Sequence, residues 1–160
     1  MLQVLNIHKR IIDQPKTKVA ELLSTLSTAN DALMPTDKWP AMKLDQGLNV
    51  GSKGGHGPIR YTVGKYVPGE LIKFNFNGPK GFDGWHQFEI VELNDNRTEL
   101  VHTIDMNTSG TGTLSWTFAI RWLHDALMED AFDKVENQFN NQRKVTEWSP
   151  WVKFLRTLLN

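Results

Sequence analysis

The sequence predicts an α+β fold: a curved antiparallel sheet of about seven strands wrapped around one long C-terminal helix, in the order strand, two helices, six strands, helix. Two observations carry this. From 120 to 144, Ile120, Leu123, Leu127, Ala131, Val135 and Phe139 recur every three or four residues, with Asp125, Glu129, Asp133 and Glu136 turned away from them. That is the apolar stripe of an amphipathic helix, and it must be buried against something. From 42 to 118 the chain alternates apolar and polar residues between strong turn signals and reads almost entirely as sheet, which is the surface available to the stripe.

The elements follow in order. A first strand is expected at 4–12, with Leu5, Ile7 and Ile11 on one face and Asn6, His8 and Arg10 on the other, which leaves His8 solvated. Asp13 is suited to cap a helix that admits Pro15 in its first turn and presents Val19, Leu22, Leu23 and Leu26 on one side. A short helical turn at 30–34 is stopped by Pro35, and Trp39-Pro40 leads into a strand at 42–50. The glycine-rich loop 51–57 precedes a strand at 59–67. Val67-Pro68-Gly69-Glu70 then places proline and glycine where a type II turn needs them. The strand at 71–76 carries Ile72, Phe74 and Phe76 on one face, and 78–84 links it to a strand at 85–93. Asn94-Asp95-Asn96 turns into 99–106, and after the loop 107–112 a last strand at 113–118 runs into the helix. Ser149-Pro150 opens a tail helix at about 150–159, with Trp151, Phe154, Leu155 and Leu158 at helical spacing. It is expected to pack on its own domain, with a dimer contact or a flap over a pocket as the alternatives. No repeat, linker or low-complexity segment divides the chain, so 1–160 is read as a single domain.

Composition excludes several classes. Eighteen basic and eighteen acidic residues balance to a formal charge of zero, so no global field recruits nucleic acid or an anionic membrane. The aromatics sit at core spacing and are not interleaved with lysines, so nucleic-acid binding is not expected. There is no cysteine for disulfides or thiolate chemistry. No stretch approaches the roughly 18 apolar residues of a membrane span, and the first residues lack a signal-peptide core, so a cytoplasmic protein is expected.

Several segments resemble a known superfamily. These are Gly54-Gly55-His56-Gly57-Pro58-Ile59-Arg60-Tyr61, Gly81-Phe82-Asp83-Gly84-Trp85-His86, Arg121-Trp122-Leu123-His124-Asp125-Ala126-Leu127-Met128-Glu129-Asp130, and Trp148-Ser149-Pro150-Trp151. With the element order, they resemble the SRPBCC or START-like superfamily, which includes polyketide cyclases and birch-pollen-allergen-like proteins, and within it an uncharacterised bacterial group. The resemblance covers nearly the whole chain and implies the helix-grip fold. It also implies a hydrophobic ligand held between sheet and helix, with cyclisation or dehydration catalysed there in some members.

Strand alternation indicates which side chains face that interior. On 85–93 the apolar set is His86, Phe88 and Ile90; on 99–106 it is Leu100, His102, Ile104 and Met106. A hairpin turning about Asp95 sets Phe88 opposite His102 and His86 opposite Ile104, making the two histidines diagonal neighbours. His124 interrupts the helix stripe and projects toward the same face. Three imidazoles in a fully packed core would each leave polar atoms that cost on the order of 1–3 kcal/mol without partners, so partners or a ligand-bearing hollow are required. Phe74, Phe76, Phe88 and Trp116 (grouped with Leu114 and Phe118) are candidate walls, and Tyr61, His86, His102 and His124 are candidate polar contacts. His56 and Arg60 are candidates for the cavity mouth. Asp125, Glu129, Asp130 and Asp133 read as a solvated helix face, with a pairing to Arg121 or Arg60 as the alternative.

The loop 51–57 is not a P-loop, because it opens a strand and lacks the Gly-Lys-Ser/Thr step into a helix. Three histidines resemble a catalytic zinc set, yet they lack short motif spacing and a joining carboxylate, and neither a metal nor another cofactor is expected. The leading expectation is therefore binding of a hydrophobic or aromatic small molecule in an internal cavity. The alternatives are a cyclase or dehydratase using His86, His102 or His124 as general acid or base, and an interaction module acting through the Trp-rich tail. A homodimer is left open.

Overall fold

A computed structural model describes residues 1–159. Seven antiparallel strands form one sheet in the order β1-β7-β6-β5-β4-β3-β2. They are β1 Leu2–Ile12, β2 Lys43–Leu44, β3 Lys53–His56, β4 Ile59–Val67, β5 Leu71–Gly78, β6 Phe82–Asn94 and β7 Arg97–Thr108. The helices are α1 Lys16–Ser24, α2 Thr111–Ser115, α3 Arg121–Asn137 and α4 Pro150–Leu159. A π-type turn, Trp116–Ile120, joins α2 to α3, so one continuous helix runs from 111 to 137. This is the helix-grip arrangement that the element order predicts.

The alternation on the long hairpin holds. Phe88 lies opposite His102 and His86 opposite Ile104, while Phe74 of β5 lies opposite His86. Tyr61, Phe74, His86, Phe88, Leu100, His102, Ile104 and Met106 are all buried on the face that meets the long helix. Leu127, Met128, Ala131, Phe132 and Val135 pack against them from the helix side.

β1 reverses its expected orientation. Leu5, Ile7 and Ile11 are 65%, 49% and 44% exposed, and the other face of the strand, with Asn6, His8 and Arg10, turns inward. The helix supplies the reason, because what β1 meets there is acidic. Arg10 donates to Glu129 (2.8 Å), Asp133 (3.0 Å) and Glu136 (2.5 Å), and His8 lies 3.0 Å from Asp125. The acidic helix face is thus paired and in part buried, with Asp125 and Glu129 keeping some exposure. Asp133 is buried beneath Arg10, and Asp130 is buried where it accepts from Lys38 (2.8 Å), Trp39 (2.7 Å) and Trp148 (2.8 Å). Arg121 reaches Asp125 only at 3.8 Å.

Other differences are local. The expected strand at 113–118 is helical. Gly110 turns the chain at φ +52°, and thereafter only one residue of the alternating trio is buried, Trp116 at 4%, while Leu114 and Phe118 are 60% and 62% exposed. Period two fitted those three residues, whereas Gly112, Trp116, Leu127 and Ala131, all buried, follow the helix. The seventh strand comes instead from the glycine loop. Gly54 and Gly55 lie in β3, where a Cβ would strike the carbonyls of Lys43 and Ile59. The strand expected at 42–50 shrinks to Lys43–Leu44. The turn at 30–34 is irregular, tied by the Asp31 carboxylate accepting from the amides of Ser27, Leu33 and Met34. Asp13 makes no cap: Pro15 holds the cap position of α1, and Asp13 faces Arg97 at 3.1 Å. The long helix ends at Asn137 and not at 144, where the Asn137 side chain accepts from the Lys144 amide (2.7 Å) and donates to its carbonyl (2.7 Å).

The tail helix α4 lies on its own chain, with Val152 and Leu155 buried and Arg156 stacked 4.6 Å above the Trp39 ring. Among the described residues no helix is long and apolar enough to cross a membrane.

Candidate functional site

Between the inner face of the sheet and the long helix lies a cavity of about 510 Å³. Phe88 and Ile104 line it from the sheet, Trp116, Leu123 and Leu127 from the helix, and Leu159 from the tail. Four histidines also face it: His56, His86, His102 and His124. Phe76 completes the set of expected residues on its wall. Tyr61 and Phe74 lie one layer behind, with ring centroids 4.8 Å from that of His86, so they buttress the wall without forming it. Arg60 is not at the mouth either, because its guanidinium turns back onto the carbonyls of Gly57 (2.7 Å) and Ile59 (2.9 Å).

All five histidines of the chain fall in one array. His56 Nδ1 is 3.0 Å from the Tyr61 hydroxyl, and Tyr61 packs edge-on against His86. His86 Nδ1 and His102 Nε2 share a hydrogen bond at 3.3 Å. The His102 and His124 rings are 4.9 Å apart, and those of His124 and His8 are 5.5 Å apart. The sheet register fixes this order, since His8, His102 and Phe88 occupy one row across β1, β7 and β6.

Hydrogen bonding within the array is incomplete. His86 Nε2, His102 Nδ1 and both ring nitrogens of His124 are buried without a partner among the described residues. Burial pushes the pKa of His86 and of His102 well below the usual imidazole range, with the neighbouring imidazoles adding to the effect. Burial, His124 and Arg60 bring His56 down to about 4. His124 is also lowered, chiefly by burial, although Asp125 opposes the shift. These rings are therefore neutral near pH 7, each with one nitrogen that donates and one that accepts.

His8 is the exception, and sequence reasoning set it aside. Burial disfavours its charge, but Asp125 and Glu129 outweigh burial and raise its pKa. Burial would raise the Asp125 carboxyl, yet contacts from His124, His8 and Asn6 hold it well below the carboxylate range. The signal that could have found this seam lay in the sequence: Asn6, His8 and Arg10 form a basic strand face, and Asp125, Glu129, Asp133 and Glu136 form the acidic helix face that complements it.

No family model and no curated protein matches the sequence. Solved structures do match. One is a protein from Nitrosospira multiformis, 13% identical with a TM-score of 0.65, the match covering 86% of this chain and 97% of that one. Another is norcoclaurine synthase from Thalictrum flavum in complex with dopamine and hydroxybenzaldehyde, 11% identical with a TM-score of 0.64 over 88% of this chain and 90% of that one. A START superfamily protein from Mycobacterium smegmatis is 14% identical with a TM-score of 0.56, over 84% and 95% of the two chains. The fold is START-like. At these identities the likeness fixes the START-like architecture and leaves the chemistry of the cavity to its own residues.

Proposed function

We propose that this START-like protein binds a small, largely apolar or aromatic molecule in the cavity between sheet and helix, with the histidine array orienting its polar end. The observation that carries the reading is the set of buried ring nitrogens His86 Nε2, His102 Nδ1 and His124 Nε2, which have no partner among the described residues. Each would cost on the order of 1–3 kcal/mol if left unpaired in a dry core. A ligand carrying a hydroxyl, carbonyl or amine would satisfy them while its apolar body fills the space beside Phe88, Trp116 and Leu127. The cavity volume of about 510 Å³ falls within the ordinary range for small-molecule sites. Neutral imidazoles suit such a ligand, because they both donate and accept without bringing a buried charge. The cavity-facing Leu159 and Arg156 support a tail helix that covers the site, while Trp151, Phe154 and Leu158 on the same helix stay exposed.

Native mass spectrometry of freshly purified protein tests this directly. The expected result is a mass adduct that is released on denaturation and is weakened or lost in His86→Phe/His102→Phe. Ligand-free wild-type protein with no affinity for a panel of aromatic and fatty small molecules would sink the reading.

A second reading has one observation in its favour. The His86–His102 contact at 3.3 Å joins two neutral imidazoles at the cavity wall, a pair able to accept and return a proton, as a cyclase or dehydratase requires. Turnover of the released compound, abolished in His102→Gln while retention persists, would select it over simple binding.

A further inference from the structure

At the outer end of the array, where β1 crosses the helix, three side chains from separate parts of the sequence converge on one point. His8 Nε2 lies 3.0 Å from Asp125 Oδ1, and His124 Nδ1 lies 3.6 Å from the same oxygen. His8, His124 and Asp125 each offer one ligand atom, and these lie within 4.8 Å of one another. We propose that His8, His124 and Asp125 bind a divalent transition metal of the zinc class, at a site separate from the apolar cavity but sharing His124 with its wall.

The spacing supports a metal. With metal–ligand bonds of about 2.0–2.1 Å, two donors at neighbouring corners of a tetrahedron stand about 3.3 Å apart. The two separations to Asp125, 3.0 and 3.6 Å, bracket that edge, and all three donor atoms lie within 4.8 Å of one another. The longer one is beyond hydrogen-bonding range, so Asp125 does not satisfy His124, and both ring nitrogens of His124 remain buried and unpaired. Asn6 stands beside the same carboxylate oxygen. Its Nδ2 donates to Asp125 Oδ1 at 3.0 Å, while its Oδ1 is buried with no partner.

The groups behind the cluster are arranged as a metal site needs. His8 turns Nε2 toward the cluster and Nδ1 toward Glu129 Oε1 at 3.5 Å, and Arg10 holds the other Glu129 oxygen at 2.8 Å. A carboxylate on the far nitrogen of a ligating imidazole fixes its tautomer and strengthens it as a donor. Two imidazoles and one carboxylate favour zinc or a similar borderline ion over magnesium or calcium, which prefer sets made of oxygen alone. The sequence-based expectation of no metal considered only His86, His102 and His124. Asp125, the carboxylate that joins His124 and His8, reads in sequence as part of a solvated helix face, and His8 as a solvated strand residue.

The rival account is purely electrostatic: a His8 imidazolium bridging Asp125 and Glu129 with no ion present. Zinc titration of chelator-treated, dialysed full-length protein, followed by calorimetry and by native mass spectrometry, separates the two. Wild type is expected to take up one equivalent of Zn²⁺ and to gain thermal stability from it. His8→Lys keeps a cation opposite both carboxylates, so it should fold and melt normally without zinc while losing more than about tenfold in zinc affinity. Asp125→Asn and His124→Ala should lose affinity similarly, and Glu129→Gln should weaken it by about 10–100-fold. His86→Phe/His102→Phe, which empties the cavity wall of its paired imidazoles, should still bind zinc, so failure of the cavity reading and failure of the metal site are told apart. Absence of a one-to-one zinc complex in folded wild type overturns the proposal. So does uptake that persists in both His8→Lys and Asp125→Asn, or that disappears in the cavity double variant.

Discussion

Replacing His86 and His102 together by phenylalanine should stabilise the ligand-free protein, whereas replacing His86 alone should not. In the wild type His86 Nε2 and His102 Nδ1 are buried without partners among the described residues, and one hydrogen bond joins the two rings at 3.3 Å. Each orphan nitrogen costs about 1–3 kcal/mol, and a neutral hydrogen bond contributes about 0.5–1.5 kcal/mol net. The double variant removes both orphans and one bond, for a gain of roughly 1–5 kcal/mol. His86→Phe alone removes one orphan, creates another at His102 Nε2 and breaks the bond, for a net loss of about 0.5–1.5 kcal/mol. The phenyl rings have aromatic neighbours to meet them: Phe74 and Tyr61 at 4.8 Å and Phe76 at 5.1 Å around His86, and Phe88 at 4.5 Å from His102. The cavity on the other side leaves room for the slightly larger ring. Urea unfolding of refolded, ligand-stripped protein at pH 7.5 reads the difference, with an unchanged m-value required for the comparison. In a chain of this length each kcal/mol moves the melting temperature by about 2–4 °C. A double variant less stable than wild type, or effects of the two substitutions that simply add, would show that these nitrogens are satisfied in the native state and would remove the main reason for placing a ligand there.

Three further predictions follow from the same geometry. Stability should fall as pH drops below 6.5, because His56, His86 and His102 stay neutral in the folded chain while their unfolded counterparts take up protons. The folded pKa values are depressed, so this stability is complete above the unfolded value and is lost through the window that for His56 extends from 6.5 to about 4. Each such histidine contributes a slope of up to about 1.4 kcal/mol per pH unit, so urea midpoints at pH 7.5, 6 and 5 should converge in the double variant relative to wild type. Arg10→Met should destabilise by about 3–5 kcal/mol, since it leaves the buried Asp133 without its cation, and Arg10→Met/Asp133→Leu should recover much of that loss by thermal melt. Asp130→Asn should cost about 1–3 kcal/mol by weakening the contacts with Lys38, Trp39 and Trp148, and limited proteolysis should then cut the tail ahead of α4 faster than in wild type.

What could be read from the sequence was whatever depends on a repeating period in one element. The register that brings His86 and His102 together on β6 and β7 follows from two apolar alternations and one Asn-Asp-Asn turn, all local. What could not be read was the choice between two faces when both were plausible. On β1, Leu5, Ile7 and Ile11 outweigh Asn6, His8 and Arg10 in hydrophobicity, and a single strand has no way of reporting that its partner helix is acidic. The same limit hid Asp130, whose burial depends on two tryptophans and a lysine far away in sequence. At 113–118 the failure was of another kind. Three apolar residues two apart fit a strand, but the π-type turn at Trp116–Ile120 shifts the helical phase there, so period 3.6 was masked.

The histidines divide by what each one faces, and that division ties the fold to its chemistry. His86 and His102 look onto aromatic rings and an apolar hollow, where a charged imidazole has no counterion. Their neutral state is imposed by the sheet, and it would suit them to hydrogen-bond the uncharged ligand proposed for the cavity. His8 looks onto Asp125 and Glu129, where a positive centre is required, whether a proton or a metal supplies it. His124 belongs to both settings: its ring is 4.9 Å from His102 on one side and 5.5 Å from His8 on the other. A cation held at the outer end would therefore lie one imidazole away from the cavity, and would disfavour protonation of every ring between it and the ligand. Occupancy of the outer site should then lower the pH at which the cavity histidines charge, coupling the two ends of the array through electrostatics with no movement of the backbone.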